Sequence, residues 1–244
     1  MTSVPVQLAL GVRWMRAPDF GALALGHNGE AVASVTRAAT TPNTRVLLHG
    51  APGTGKTHLL QAAARLAYAH RRRAACLTLS DDAEALSGYE DFDLVCVDAC
   101  EAVAHRPQVA VALMRLIDGL TGGHGSLLLA SRDGPDALAP YIPVDLRTRL
   151  QACVVYAMQP LDDASLHEAL QRQARARGLG LDDGVADYLV HHLPRNLKAL
   201  IGVLEQLDQA SLSTQRRLTI PFVQRHLGPS NAAPGHSSAR IASD

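Results

Sequence analysis

An excess of charge of either sign is missing from this chain of 244 residues, in which 23 Lys and Arg balance 23 Asp and Glu. With no net field to draw the whole molecule onto nucleic acid or an anionic membrane, any such partner needs a local patch. The strongest candidate, Arg71-Arg72-Arg73, follows a helical stretch and reads as a solvated helix end that complements the helix dipole. Cysteine is scarce. Cys76, Cys96, Cys100 and Cys153 each lie in or beside an apolar run, where a free thiol behaves as a small buried hydrophobe, so disulfides are not expected. Cys96 and Cys100 lack a second Cys or His pair at zinc-finger distance, which argues against zinc. No stretch approaches the ~20 apolar residues of a membrane span. The N-terminal MTSVPVQLALGVRW has no basic leader, long apolar core or cleavage site. A cytoplasmic location with no membrane partner is the expectation. No internal repeat is found.

What is present is enough apolar sequence for a real core, at a length that suits a large domain with a small partner. Four short apolar runs read as buried strands: Arg45 to His49, Ala74 to Leu79, Asp93 to Asp98 and Ser126 to Ala130. Ala152 to Met158 is a fifth. Helical spacing between them, as in Lys56 to His70 and Gln108 to Leu120, gives the alternation of a parallel sheet covered on both faces. After Pro160 the texture becomes wholly helical: Asp162 to Gly178, Asp182 to Leu193, Arg195 to Ser213 and Pro221 to Leu227. The fold class is therefore an α/β domain followed by a small helical lid. The expected boundaries are an N-terminal segment 1–16, an α/β domain 17–160, a lid 161–228 and a disordered tail 229–244 that is rich in Ser, Ala, Gly and Pro.

Gly50-Ala51-Pro52-Gly53-Thr54-Gly55-Lys56-Thr57 matches G-x-x-x-x-G-K-[ST] in full and lies between a strand and a helix, as its mechanism requires. The glycines let backbone N–H groups close around phosphates, and the helix N-terminus adds positive potential. Lys56 neutralises the terminal phosphates, and the Thr57 hydroxyl reaches Mg²⁺. The matching carboxylate is Asp98, which closes the run LVCV. Many ATPases of this class carry a second acidic residue directly after it to activate water. Here that position is Ala99, and Glu101 is offset by two, which predicts slow intrinsic hydrolysis.

The segments QLALGV, FGALALGHN, the P-loop, DLVCVDA, LLLASRD, DLRTRL, RNLKALIGVLEQLDQAS and RRLTIPFVQ, in that order, resemble the Hda branch of the DnaA family of AAA+ replication regulators. The resemblance covers nearly the whole chain. It implies an AAA+ P-loop fold holding ADP or ATP with Mg²⁺, with Phe20 to Asn28 bordering the adenine and His58 following the loop in the nucleotide-binding set. It also implies Ser131 as the sensor of the γ-phosphate, with Arg132 as its neighbouring alternative, and Arg195 as a second, lid-borne sensor. Arg149 is similar to the arginine finger that acts on a neighbouring molecule's nucleotide. Arg147 is its rival, and simple pairing of either with Asp145 or solvent is the plain alternative.

The expected partners are DnaA, the sliding clamp of DNA polymerase III and a second copy of the chain as a homodimer. The sequence following the lid is not expected to provide the sequence-specific DNA reader that DnaA carries. Gln7-Leu8-Ala9-Leu10-Gly11-Val12 resembles clamp-docking peptides, with Gln7 making polar contacts and Leu8 and Leu10 filling an apolar pocket. Two buried leucines contribute roughly 3 to 6 kcal/mol gross, much of it offset by ordering, so tight binding requires two motifs presented together. The function implied is stimulation of hydrolysis of DnaA-bound ATP; the competing class is a self-sufficient ATPase such as a helicase loader. Trp14, His49, Met114 and Met158 read as packing residues. His191 and His192 read as a surface helix end.

Overall fold

The computed structural model describes residues 24–80, 83–214 and 217–227. The clamp-type segment with Gln7, Leu8 and Leu10, Trp14 and the tail 229–244 lie outside the described residues. The chain divides into two compact units, Met1–Pro160 and Leu161–Asp244.

The first unit is built on five parallel strands, β1 (Arg45–His49), β2 (Ala74–Thr78), β3 (Leu94–Asp98), β4 (Ser126–Ser131) and β5 (Val154–Ala157), in the order β2-β3-β4-β1-β5. β4 is buried at every position and β3 at its first four, as strands covered on both faces must be. Strand alternation sends Leu47, Val95, Val97, Leu127 and Leu129 to one face and Val46, Leu48, Leu94, Cys96 and Leu128 to the other. The first face is covered by α3 (Pro107–Gly122) and α5 (Val144–Gln151), through Leu113, Leu116, Leu146 and Leu150. The second is covered by α1 (Gly29–Thr40) and α2 (Lys56–Ala69), whose buried Ala38, Ala39, Ala63 and Ala67 permit close approach. A short helix, α4 (Pro135–Leu138), follows β4.

The expected α/β class is the observed one, with differences in its parts. β5 is shorter than Ala152 to Met158 because Ala152 N and Cys153 N donate back to Thr148 O and Leu150 O, which extends the end of α5 over them. Arg71 and Arg73 are exposed just after α2, as the reading of a solvated helix end has it, but Arg72 departs from it and both Arg72 and Arg73 bond the protein. Arg72 donates to Ala38 O at 2.8 Å and Asp93 O at 2.7 Å, while Arg73 bonds Asp91 O and lies 5.6 Å over the Phe92 ring. Arg72 thus ties α1 to the segment that leads into β3, and Arg73 holds that same segment. Met114 and Met158 pack against the two core clusters as read from the sequence.

The second unit contains α6 (Asp163–Ala176), α7 (Asp183–His192), α8 (Leu197–Thr214) and α9 (Ile220–Leu227) around Leu166, Leu170, Leu189, Leu200, Leu204 and Phe222. Asp162 caps α6 by accepting from Ser165 N at 2.8 Å, and Gly178, at φ +70°, follows its last turn. α8 starts at Leu197 rather than Arg195, because Asn196 Oδ1 accepts from Lys198 N at 2.9 Å and acts as the cap. His191 and His192 bond the carbonyls one turn back, Asp187 O and Tyr188 O, at the end of α7. Among the described residues no helix is long and apolar enough to cross a membrane.

Candidate nucleotide-binding site

A parallel sheet collects the C-terminal ends of its strands along one edge, and the loops there form the usual ligand site of such folds. Here β1 delivers Gly50, β3 delivers Asp98 and β4 delivers Ser131 to that edge. Gly50 sits at φ +150°, and its N–H is shared between Ser131 O at 3.3 Å and Arg132 O at 3.2 Å. A Cβ there would lie 2.6 Å from Met158 O, so the loop passes where only glycine fits. Gly55, left-handed at φ +91°, turns the chain into the first residue of α2.

Between these glycines, Ala51 O accepts from both Thr54 N and the Thr54 hydroxyl, at 3.4 and 2.9 Å. Lys56 Nζ donates to Gly50 O at 2.6 Å, Ala51 O at 2.9 Å and Thr54 Oγ1 at 3.3 Å. Three ammonium protons thus have three acceptors on the loop's own rim. Burial lowers the Lys56 pKa and Arg132 adds to this, while Asp98 and Glu101 oppose it. Pro52 and His58 are exposed.

The Thr57 hydroxyl donates to Asp98 Oδ2 at 2.6 Å, and Asp98 Oδ1 accepts from Ala99 N at 2.9 Å. Ala99 is left-handed at φ 58°, which bends the chain sharply after the carboxylate. A hydroxyl and a carboxylate in contact form a hard-oxygen pair of the kind Mg²⁺ takes alongside phosphate and water. Among the described residues, no cluster of three or more His, Cys, Asp or Glu offers a self-contained metal site. Cys96 and Cys100 are buried free thiols.

Glu101 turns back toward this edge. Its Oε2 accepts from Arg132 N at 2.9 Å, tying the segment after β3 to the end of β4. Ser131 is buried, and its Oγ accepts from Asp133 N at 3.3 Å. Asn28 is also buried: its amide donates to Gln159 O at 3.0 Å and accepts from Gln159 N at 2.8 Å.

The arginines bond other partners. Arg149 donates from Nε and Nη2 to the two carboxylate oxygens of Asp118 on α3, both at 2.8 Å, and from Nη1 to Asp145 O at 3.0 Å. Arg147 approaches Asp136 at 3.9 Å. Arg195, in the second unit, pairs closely with Asp163. The structure therefore gathers the P-loop, Asp98 and Ser131 along one edge, while Arg149 bonds none of them. Sequence reasoning missed Asp118, Gln159 and the Glu101–Arg132 link. Only Asn196, a cap-type residue before an apolar period, left a local signal.

Residues 162–227 match the family model described as Hda, lid domain. Domain III of the Thermotoga maritima replication initiation protein DnaA is similar at 18% identity and TM-score 0.76, over 86% of this chain and 95% of that domain. AMPPCP-bound DnaA from Aquifex aeolicus is similar at 21% identity and TM-score 0.64, over 73% of this chain and 60% of that one. The Thermotoga maritima RuvB Holliday junction branch migration motor follows at 16% and 0.64, over 82% and 67%. The match thus spans 95% of that DnaA domain III but about three-fifths of the longer DnaA chain. These likenesses establish the AAA+ fold of the α/β unit followed by a helical lid.

Proposed function

We propose, from the premise that this chain is an Hda-like AAA+ protein related to DnaA, that it binds an adenine nucleotide and serves to inactivate a replication initiator. With the DNA-loaded sliding clamp it promotes hydrolysis of the ATP held by DnaA, so that initiation is not repeated. One observation carries the reading. Asp98, fixed by Thr57, is followed by Ala99, which has no group to accept a proton from water. A positioned general base contributes about 10²- to 10⁴-fold to such reactions, so this cleft suits a nucleotide kept as a ligand better than one turned over.

In this reading the loop N–H groups and the start of α2 face the phosphates, and Lys56 exchanges its carbonyl partners for phosphate oxygens. Thr57 and Asp98 hold Mg²⁺, which when bound neutralises charge between the phosphates. Asn28 borders the adenine, Ser131 reads the terminal phosphate, and Arg195 is the candidate second sensor. AMPPCP, an ATP analogue, is bound in two of the similar DnaA structures, which supports this choice of ligand. Arg149 supplies the charge in trans, a contribution of about 10³ to 10⁵ in rate where it has been measured in other systems. Clamp docking is assigned to Gln7, Leu8 and Leu10, presented by a homodimer.

The test uses DnaA loaded with radiolabelled ATP, the clamp on primed DNA, and this protein. Arg149→Ala is expected to keep nucleotide and clamp binding and to lose stimulation; full stimulation by the variant removes Arg149 from the role. A self-sufficient ATPase is the second reading, and Glu101 is the observation in its favour, because its carboxylate acts on Lys56 and anchors Arg132. Turnover by the purified protein alone, at around 1 per second or more and abolished by Glu101→Gln, selects that reading.

A further inference from the structure

The guanidinium of Arg149 has five N–H donors. Asp118 takes two of them, one from Nε and one from Nη2, and Asp145 O takes one from Nη1. That leaves one N–H on each terminal nitrogen, on a side chain that remains 32% exposed. Both partners stand on helices locked by the same core, α3 through Leu116, Ile117 and Leu120, α5 through Leu146 and Leu150. A flexible arginine is thereby held in one orientation before anything binds it. Arg147, two residues away, is more exposed, and its approach to Asp136 is long, at 3.9 Å.

We propose that Asp118 is the positioning residue of Arg149: it grips the guanidinium along one edge and leaves the two remaining N–H groups directed to an external anion, the phosphates of a partner-bound nucleotide. The inference rests on the reading of Arg149 as the residue that acts in trans. Charge-assisted two-point bonds fix an arginine's plane as well as its place. Orientation of this kind is where small displacements reduce rate most, since a group misplaced by about 1 Å can lower turnover 10²-fold. Asp118 touches no nucleotide and acts only through Arg149.

The experiment titrates wild type, Asp118→Ala, Asp118→Asn, Arg149→Ala and the double Ala variant against ATP-bound DnaA with clamp-loaded DNA. It separates the maximal hydrolysis rate from the half-saturating concentration. Asp118→Ala is expected to lower the maximal rate about tenfold or more without moving the half-saturating concentration. Asp118→Asn, which retains one acceptor, is expected to fall between. The double variant should match Arg149→Ala, because the two residues act as a unit. Asp118 is more than half exposed, so equal thermal midpoints and nucleotide affinities are expected and are checked in parallel. If Arg149→Ala is inactive while Asp118→Ala reaches the wild-type rate or exceeds it, positioning by Asp118 is overturned and the role of Arg149 stands. If Arg149→Ala stimulates fully, both are overturned.

Discussion

Asn28 and Gln159 are 131 positions apart and are joined as two strand neighbours are, with the side-chain amide of one matching both backbone polar groups of the other at 3.0 and 2.8 Å. Asn28 opens α1, and Gln159 follows β5 at the end of the α/β unit. Replacing Asn28 by Ala removes both of these part-buried hydrogen bonds with Gln159, which costs about 2 to 3 kcal/mol. The thermal midpoint is expected to drop by roughly 5 to 10 °C. A drop under 1 °C in calorimetry would show that water replaces the amide at no loss.

The contact of Thr57 with Asp98 leads to a different measurement. If the pair holds a divalent cation beside phosphate, Asp98→Asn keeps a hydrogen-bond acceptor for Thr57 but loses the charge the cation needs. Affinity for a fluorescent ATP analogue is expected to fall about tenfold or more in Mg²⁺, with little change in EDTA. An unchanged ratio between the two buffers removes Asp98 from the cation site.

The parallel sheet and the P-loop were legible because each is written in contiguous residues: LVCVD and SLLLAS are apolar on both faces, and GAPGTGKT lies between a strand and a helix. Side-chain pairings across the fold were not. Nothing local in Asp118 marks it as the partner of Arg149, 31 residues on, and nothing in Arg72 says that its donors go to Ala38 O and Asp93 O. α1 is hard to read from the sequence because GEAVASVTRAAT places small and β-branched residues where long aliphatics usually give a helix its period. Tertiary closeness makes those small residues useful, and tertiary closeness is what a linear pattern leaves out.

The four thiols differ in reach. Burial pushes Cys153 up to about 11 and raises Cys96 and Cys100, whereas Cys76, hydrogen-bonded with Cys96, is lowered and half-buried. Iodoacetamide at pH 8 is expected to label Cys76 first, read by mass spectrometry of the folded protein. A thiol whose pKa is higher folded than unfolded keeps its proton longer in the folded state. Folded protein then binds more protons between the two values, and stability falls as pH rises through them. For Cys153 that window runs from its ordinary 9.0 to about 11. The thermal midpoint of Cys153→Ala should therefore decline less steeply than that of wild type across this range. Parallel declines remove Cys153 as a cause.

Gly50 joins fold and site at one backbone position, and its replacement separates tight packing from simple flexibility. At φ +150° an alanine is strained, and its Cβ would stand 2.6 Å from the carbonyl oxygen of Met158, a backbone atom that follows β5 and cannot swing aside. Moving it would also disturb the Gly50 N–H shared by Ser131 O and Arg132 O, at the end of β4. Gly50→Ala is expected to destabilise the protein by about 2 to 4 kcal/mol and to weaken nucleotide binding more than tenfold. Gly202, inside α8 with nothing within 4 Å of an added Cβ, is the control. Its change to Ala should stabilise by about 0.5 to 1 kcal/mol and leave binding alone, since there glycine only adds freedom to the unfolded chain. Denaturant unfolding and nucleotide titration of both variants give opposite signs if the close passage at Met158 sets the loop, and similar small changes if it does not.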